Sequence, residues 1–126
     1  MEAQVDAFME RFETMWRSPT PEGFAELFHP DGSLKHPSMS EPLPAGGAAA
    51  YMRGLNKTLP NLNLQVRNWA AAGDTVLIEY TLSATVDGHT VSWDGADRFT
   101  LRGARAIDGA AYFDPSVIGS ALAASS

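Results

Sequence analysis

The chain has 126 residues, of which 44% are hydrophobic and 19% charged, and we expect one domain over residues 1–126 with a sizeable core. Its formal net charge of −6, with only nine Lys and Arg residues, argues against binding to nucleic acid or to an anionic membrane surface. The lack of cysteine excludes disulfides and thiol catalysis, and no segment has the pattern of a signal peptide or membrane span, so we expect a cytoplasmic protein.

The first half of the chain has helical periodicity. Apolar residues recur at three- and four-residue steps in the first segment, which predicts a helix that ends near Pro19. Thr20 followed by Pro21 is typical of a helix N-cap, so we expect a short second helix there. A third helix is predicted over residues 48–59, where Pro60 ends it.

A brief strand and a long loop are predicted between the second and third helices. The strand covers residues 33–36, with Leu34 and His36 on one face, because Pro37 holds the residue before it in an extended conformation. The loop, residues 37–47, is rich in Pro and Gly and is long enough to form a rim or a lid.

After Pro60 the periodicity changes from helical to alternating, which predicts four consecutive strands. They cover residues 62–71, 75–86, 91–101 and 105–114. Asp87-Gly88 is a strong hairpin signal between the second and third of them. Three helices followed by a meander with one apolar face predict an α+β domain in which the helices cover a curved sheet. A short C-terminal helix is expected after Asp114.

One acidic residue shares the apolar face of the third of these strands. At period two, Asp97 lies on the same face as Trp93 and Phe99. Burial of an ionised carboxylate is costly, so the side chain needs either a partner or a proton. It is either held by an ion pair or a backbone hydrogen bond, or it is a neutral carboxyl group that can donate a proton. The arginines considered as ion-pair partners are Arg53, Arg98 and Arg105.

His36 is a second candidate for proton transfer, because imidazole is a ready general base near neutral pH. The alternative is a hydrogen-bonded histidine of the core or a loop. The sequence has no HxH or HExxH spacing, no phosphate-binding glycine motif and no hydrolase nucleophile motif, so we expect no metal and no cofactor. The aromatic residues suit either a plain core or a pocket for a flat apolar ligand.

Two segments carry a resemblance to a known family. They are ERFETMWRSPTPEGFAELFHPDGSLKHPSMSEP, residues 10–42, and GADRFTL, residues 95–101. Together with the order of elements, they resemble the ketosteroid isomerase and SnoaL-like polyketide cyclase branch of the nuclear transport factor 2-like superfamily. The resemblance spans nearly the whole chain. It implies a cone-shaped fold with a cavity between the helices and the inner face of the sheet.

The resemblance also implies acid–base chemistry in this cavity. The general-base Asp of the isomerase falls on His36, and its second, protonated Asp falls on Asp97. In that enzyme the protonated Asp donates a hydrogen bond to an oxyanion. The isomerase's oxyanion Tyr falls on Phe12, which cannot donate, and a supporting Tyr falls on Leu55.

The function implied is that of a cofactor-independent isomerase, cyclase or dehydratase acting on an apolar, carbonyl-bearing small molecule. His36 would take the proton and Asp97 would donate to the developing oxyanion. The side chains expected to bind the substrate are Phe12, Trp16, Tyr51, Leu55, Trp93, Phe99 and Phe113.

The sequence also allows two alternative functions and a second copy of the chain as a partner. One alternative is a non-catalytic protein of the same fold that binds a small ligand or acts as a dimer. The other is an epoxide hydrolase: limonene-epoxide-hydrolase-like members use an Arg and two Asp residues, where this chain has Gly95, Asp97 and Ala111. A homodimer is common among the relatives, and Leu77 on the predicted outer sheet face leaves room for one.

Overall fold

The computed structural model describes residues 2–37, 39–114 and 116. Its helices are α1 (Glu2–Arg17), α2 (Pro21–Ala25) and α3 (Ala48–Thr58), and a single 3-10 turn at Ala45–Gly47 leads into α3. Its strands are β1 (Ser33–Lys35), β2 (Leu43–Pro44), β3 (Asn63–Ala72), β4 (Thr75–Val86), β5 (His89–Arg102) and β6 (Arg105–Tyr112).

The helices begin and end within one or two residues of the positions that the sequence pattern indicates. The hydroxyl of Thr20 accepts a hydrogen bond of 3.0 Å from the backbone N–H of Gly23, which caps α2. α3 ends just before Pro60, which cannot continue a helix. α1 buries one apolar stripe, as its spacing predicts, and the buried members are Val5, Phe8, Met9, Phe12, Met15 and Trp16.

The six strands form one sheet in the order β2-β1-β6-β5-β4-β3. Strands β3 to β6 are an antiparallel meander, β1 joins β6 in parallel, and β2 pairs antiparallel with β1. The Asp87-Gly88 turn places Val86 opposite His89, and this fixes the register of β4 and β5. One side of this sheet carries the core, so its two faces differ in composition.

β4 shows the difference between the two faces most clearly, because buried and less buried side chains alternate along it. The buried set faces the helices and contains Val76, Ile78, Tyr80, Leu82, Ala84 and Val86. On the outer face, Leu77 is 54% exposed and Tyr112 of β6 is 58% exposed. The inner face of the sheet is therefore buried and the outer face is largely exposed to solvent, as the alternating pattern predicts.

The α+β fold with a curved, mainly antiparallel sheet is confirmed. β3 and β5 differ from their predicted bounds by one or two residues, and three further differences concern β1, β2 and β6. β1 ends at Lys35, so His36 follows the strand instead of closing it. β2 lies inside the segment predicted as a loop. It was not predicted as a strand because two residues are too few to show an alternating pattern. β6 ends at Tyr112, and the Asp114 side chain accepts a hydrogen bond from the Ser116 N–H in a local turn that competes with strand pairing.

The C-terminal helix predicted after Asp114 lies almost wholly outside the described residues. Within the part of the chain that the structure describes, no helix has the length and apolar character needed to cross a lipid bilayer.

Candidate functional site

A cavity of about 260 Å³ lies between the helices and the inner face of the sheet. Most of its wall is apolar, and four side chains bring polar groups to it. His36 follows β1, Tyr51 comes from α3, Tyr80 from β4 and Asp97 from β5. Four separate elements thus place their polar groups around one apolar space, an arrangement typical of small-molecule sites.

The carboxyl group of Asp97 is the group in this cavity whose pKa is brought close to neutral pH. The side chain is buried, and its Oδ1 accepts a hydrogen bond of 2.9 Å from the phenol oxygen of Tyr80. Burial raises the pKa of Asp97 to about 7, although the hydrogen bond from Tyr80 acts in the opposite direction. Near neutral pH the group is therefore present both as a proton donor and as a carboxylate.

The arginines considered as partners of Asp97 do not pair with it. Arg98 points to the other face of the sheet, where its Nη1 lies 3.2 Å from Oδ2 of Asp108. Arg53 and Arg105 are exposed. Among the described residues, no ion pair includes Asp97.

His36 lies in the same cavity wall, between two aromatic side chains. Its ring makes edge-on contacts with Tyr51 and Phe113, at centroid distances of 5.4 and 5.1 Å. Burial lowers the pKa of His36, so the neutral imidazole predominates at neutral pH. The neutral ring is the form that can accept a proton.

The two phenols remain proton donors over the whole physiological range. Burial, and after it the negative charge of Asp97, raise the pKa of Tyr51 and of Tyr80 far above the ordinary value. Tyr51 was expected in the pocket wall, whereas Tyr80 was not singled out from the sequence. The signal was present in the hairpin: the two-residue turn places Tyr80 opposite Gly95, which makes Asp97 its diagonal neighbour.

The residues predicted to bind substrate fall into two groups. One group lines the cavity and consists of Trp16, Tyr51, Leu55, Trp93 and Phe113. The other consists of Phe12 and Phe99, which are 1% and 2% exposed and lie against each other in the core, outside the set of described residues that line the cavity. The indole N–H groups of Trp16 and Trp93 are buried and have no hydrogen-bond partner among the described residues.

The chemistry that this site can carry out follows from its four polar side chains. In the described ranges, no three His, Asp or Glu side chains are grouped as a metal site requires. One neutral imidazole, one carboxyl group that titrates near neutrality and two phenols can take up a proton and donate hydrogen bonds to an oxygen atom.

Comparison with known proteins gives one family and several related folds. The family model of the SnoaL-like domain matches residues 5–108 of the chain. No curated protein sequence gives a significant match. Solved structures do match, and three of them illustrate the range.

TerC, which was co-crystallised with polyporic acid, has a TM-score of 0.81 and 21% identity over 95% of this chain and 98% of its own. A candidate SnoaL-like polyketide cyclase from Jannaschia sp. CCS1 has a TM-score of 0.79 and 18% identity, over 95% of this chain and 94% of its own. A protein with a ketosteroid isomerase-like fold from Catenulispora acidiphila, in complex with trimethylamine, has a TM-score of 0.81 and 16% identity, over 92% of each chain. At such identities the likeness establishes the fold alone.

Proposed function

Because this chain belongs to the family of SnoaL-like domains, we propose that it is a small cofactor-independent enzyme that moves a proton next to the carbonyl group of an apolar molecule. The reaction class is isomerisation, aldol-type cyclisation or dehydration, since each of these begins by removal of a proton beside a carbonyl. The small-molecule complexes of TerC and of the Catenulispora acidiphila protein support a ligand of modest size.

His36 is the proposed general base. Its neutral ring takes a proton from the carbon next to the carbonyl group, which leaves an imidazolium ion and an enolate. The imidazolium then returns the proton to a different carbon in an isomerisation, to the new alkoxide in a cyclisation, or to the hydroxyl group that leaves as water in a dehydration. Its half-buried position and lowered pKa support this role, because the imidazole is neutral when the substrate arrives.

Asp97 is the proposed partner of the enolate oxygen. In its neutral form it donates a hydrogen bond to the negative charge that develops there, and the apolar wall strengthens this interaction because little water competes. One observation carries the proposal: a buried carboxyl group with a pKa of about 7, which forms no ion pair with any described residue, lies in the wall of an apolar cavity. Structural carboxylates are ordinarily paired with a cation or solvated.

Hydrogen–deuterium exchange tests the proposal without knowledge of the natural substrate. We expect the protein to catalyse exchange of the protons beside the carbonyl group in a panel of cyclic ketones and diketones, followed by NMR in D₂O. His36→Gln and Asp97→Asn should each lower the exchange rate by about 100-fold or more. The matched control is Asp94→Asn on the exposed side of the same strand, which should keep the wild-type rate.

The outcome also separates the enzyme from a ligand carrier. A protein that binds these ketones with unchanged affinity in all three variants, and that exchanges no protons, is a binding protein, and the acid–base proposal is then wrong. A homodimer through the outer sheet face stays a prediction, supported by the exposed Leu77 and Tyr112, and a measurement of mass in solution decides it.

A further inference from the structure

We propose that Gly95 and Tyr80 together position Asp97, with the Tyr80 phenol binding one carboxyl oxygen across the bare backbone of Gly95 and leaving the other oxygen for the substrate. The proposal rests on the proposed function, because it assigns the geometry with which Asp97 donates its proton. Both residues act through Asp97, so they are positioning residues.

The Tyr80 side chain crosses over Gly95 to reach Asp97. Tyr80 lies directly opposite Gly95 in the β4–β5 hairpin, and its hydroxyl reaches the diagonal neighbour Asp97. A Cβ atom at position 95 would lie 2.9 Å from Cε1 and 3.0 Å from the hydroxyl oxygen of Tyr80. The phenol therefore occupies the space that any side chain at position 95 would need. Glycine is required here for its lack of a side chain and not for a turn.

The two oxygens of the Asp97 carboxyl group have different surroundings. Oδ1 accepts the hydrogen bond from Tyr80, whereas Oδ2 has no hydrogen-bond partner among the described residues. When Asp97 is neutral, its proton therefore belongs on Oδ2, since Oδ1 already accepts one from the phenol. Asp97 lines the cavity, so this proton is the one available to a ligand oxygen. Tyr80 thus decides which oxygen of Asp97 donates.

The groups around Asp97 decide whether a neighbour other than Tyr80 controls its titration. Tyr51 faces it from α3, and His36 shares the cavity wall from the end of β1. α1 contributes Trp16 to that wall, and β6 places Ala111 directly opposite Asp97. Of the described groups around the carboxyl, Tyr80 is the one that donates a hydrogen bond to it.

The direct test is Tyr80→Phe, with the titration of the Asp97 carboxyl followed by ¹³C NMR in the ligand-free protein. Loss of the hydrogen bond removes a stabilising contact of the carboxylate, so the ionisation constant of Asp97 should fall roughly ten-fold. Affinity for 2,4-dinitrophenolate, used as an enolate mimic and measured at about pH 5, where Asp97 is protonated in both proteins, should also fall several-fold because Oδ2 is no longer held in place. Both changes are required, and the absence of either overturns the proposal.

Gly95→Ala tests the positioning of Asp97 by Tyr80 from β5, the strand opposite Tyr80. The added methyl group displaces the phenol, so the titration of Asp97 should shift as it does in Tyr80→Phe, and the double variant should show no further shift. Gly109→Ala is the matched control, since its Cβ would lie 2.7 Å from Cδ1 of Phe99 and would crowd a core ring without touching Tyr80. An equal shift in the control would mean that general loosening of the sheet is responsible, and the proposal would be wrong. If Gly95→Ala does not fold, Tyr80→Phe alone decides.

The positioning proposal and the proposed function fail in different measurements. The titration needs neither substrate nor turnover, so it tests the positioning of Asp97 by itself. If Tyr80→Phe changes both the titration and the probe affinity while His36→Gln keeps the exchange rate, the proposed base is wrong and the positioning proposal stands. If the titration of Asp97 is unchanged in Tyr80→Phe while His36→Gln and Asp97→Asn abolish exchange, the positioning proposal is wrong and the proposed function stands.

Discussion

The two faces of the β4–β5 hairpin carry the same pairing of a hydroxyl with a carboxyl group, in opposite surroundings. On the outer face, the Thr81 hydroxyl donates to Asp94 at 2.7 Å in contact with solvent. On the inner face, the Tyr80 hydroxyl donates to Asp97 at 2.9 Å inside the protein. The two acidic residues are three positions apart on one strand, so they lie on opposite faces.

The two pairs differ in burial and in their neighbours, because the Thr81 hydroxyl also accepts a hydrogen bond of 3.0 Å from Nε of Arg67, whereas no described cation lies beside Asp97. Water solvates the outer pair, which leaves it a surface contact. The inner pair has lost that water, and burial raises the pKa of Asp97 to about 7 despite the hydrogen bond. A hydroxyl–carboxyl pair is thus a surface contact on one face of the hairpin and part of the cavity wall on the other.

The largest expected effect comes from removal of the inner charge, in Asp97→Asn. The native carboxyl keeps its proton up to about pH 7, whereas the unfolded chain loses it near 3.8, so the free energy of unfolding of the wild type should fall as pH rises between these values. The fall is on the order of 4 kcal/mol. Asn does not titrate, so urea denaturation at a series of pH values should show no such fall in the variant and a more stable protein above pH 7. If the free energy of unfolding depended on pH in the same way in both proteins, burial would not raise the pKa of Asp97 as described.

An intermediate effect is expected from the two hydroxyls. Tyr80→Phe should lower the free energy of unfolding by about 2 kcal/mol at high pH, where Asp97 is ionised, and by about 1 kcal/mol at low pH. Thr81→Ala on the outer face should change it by less than about 0.5 kcal/mol, because water replaces the lost partner. Chemical denaturation of both variants at two pH values makes the comparison, and equal losses would refute it.

The smallest effect is expected at the outer ion pair of Arg98 and Asp108. Both side chains are partly exposed, so Asp108→Asn should lower the free energy of unfolding by less than about 1 kcal/mol, and added salt should reduce this loss further. Thermal unfolding at low and high ionic strength measures it. A larger loss that salt does not reduce would show that the outer face is less solvated than the comparison requires.

The sequence was sufficient to place Asp97 on the inner face, because an alternating pattern assigns every side chain of a strand to one of two faces. The Asp87-Gly88 turn was sufficient for the register, and with it for the approach of Tyr80 to Asp97. That approach was not predicted, since it also depends on the space above Gly95, which only the arrangement of Tyr80 and Phe113 around it reveals.

The position of a side chain along the inner face was harder to predict than the face itself. Phe12 and Phe99 share the inner side with Trp93, yet they pack into the core while Trp93 reaches the cavity. The difference depends on where the helices cross the sheet, and helical periodicity does not contain that information. For the same reason, the cavity was expected from the family resemblance and not from the pattern of the residues.

The parallel pairing of β1 with β6 has a consequence for the order of events during translation. The strands β3 to β5 are joined by short turns and can associate as soon as they leave the ribosome. β1 can pair early with β2 but must wait for β6, because its partners there, Gly109 and Ala110, are made 75 residues after Leu34 and Lys35. His36 meets Phe113 only at that stage. The nascent chain therefore carries Tyr80 and Asp97 before it has a cavity, and the site is completed only when β6 is synthesised.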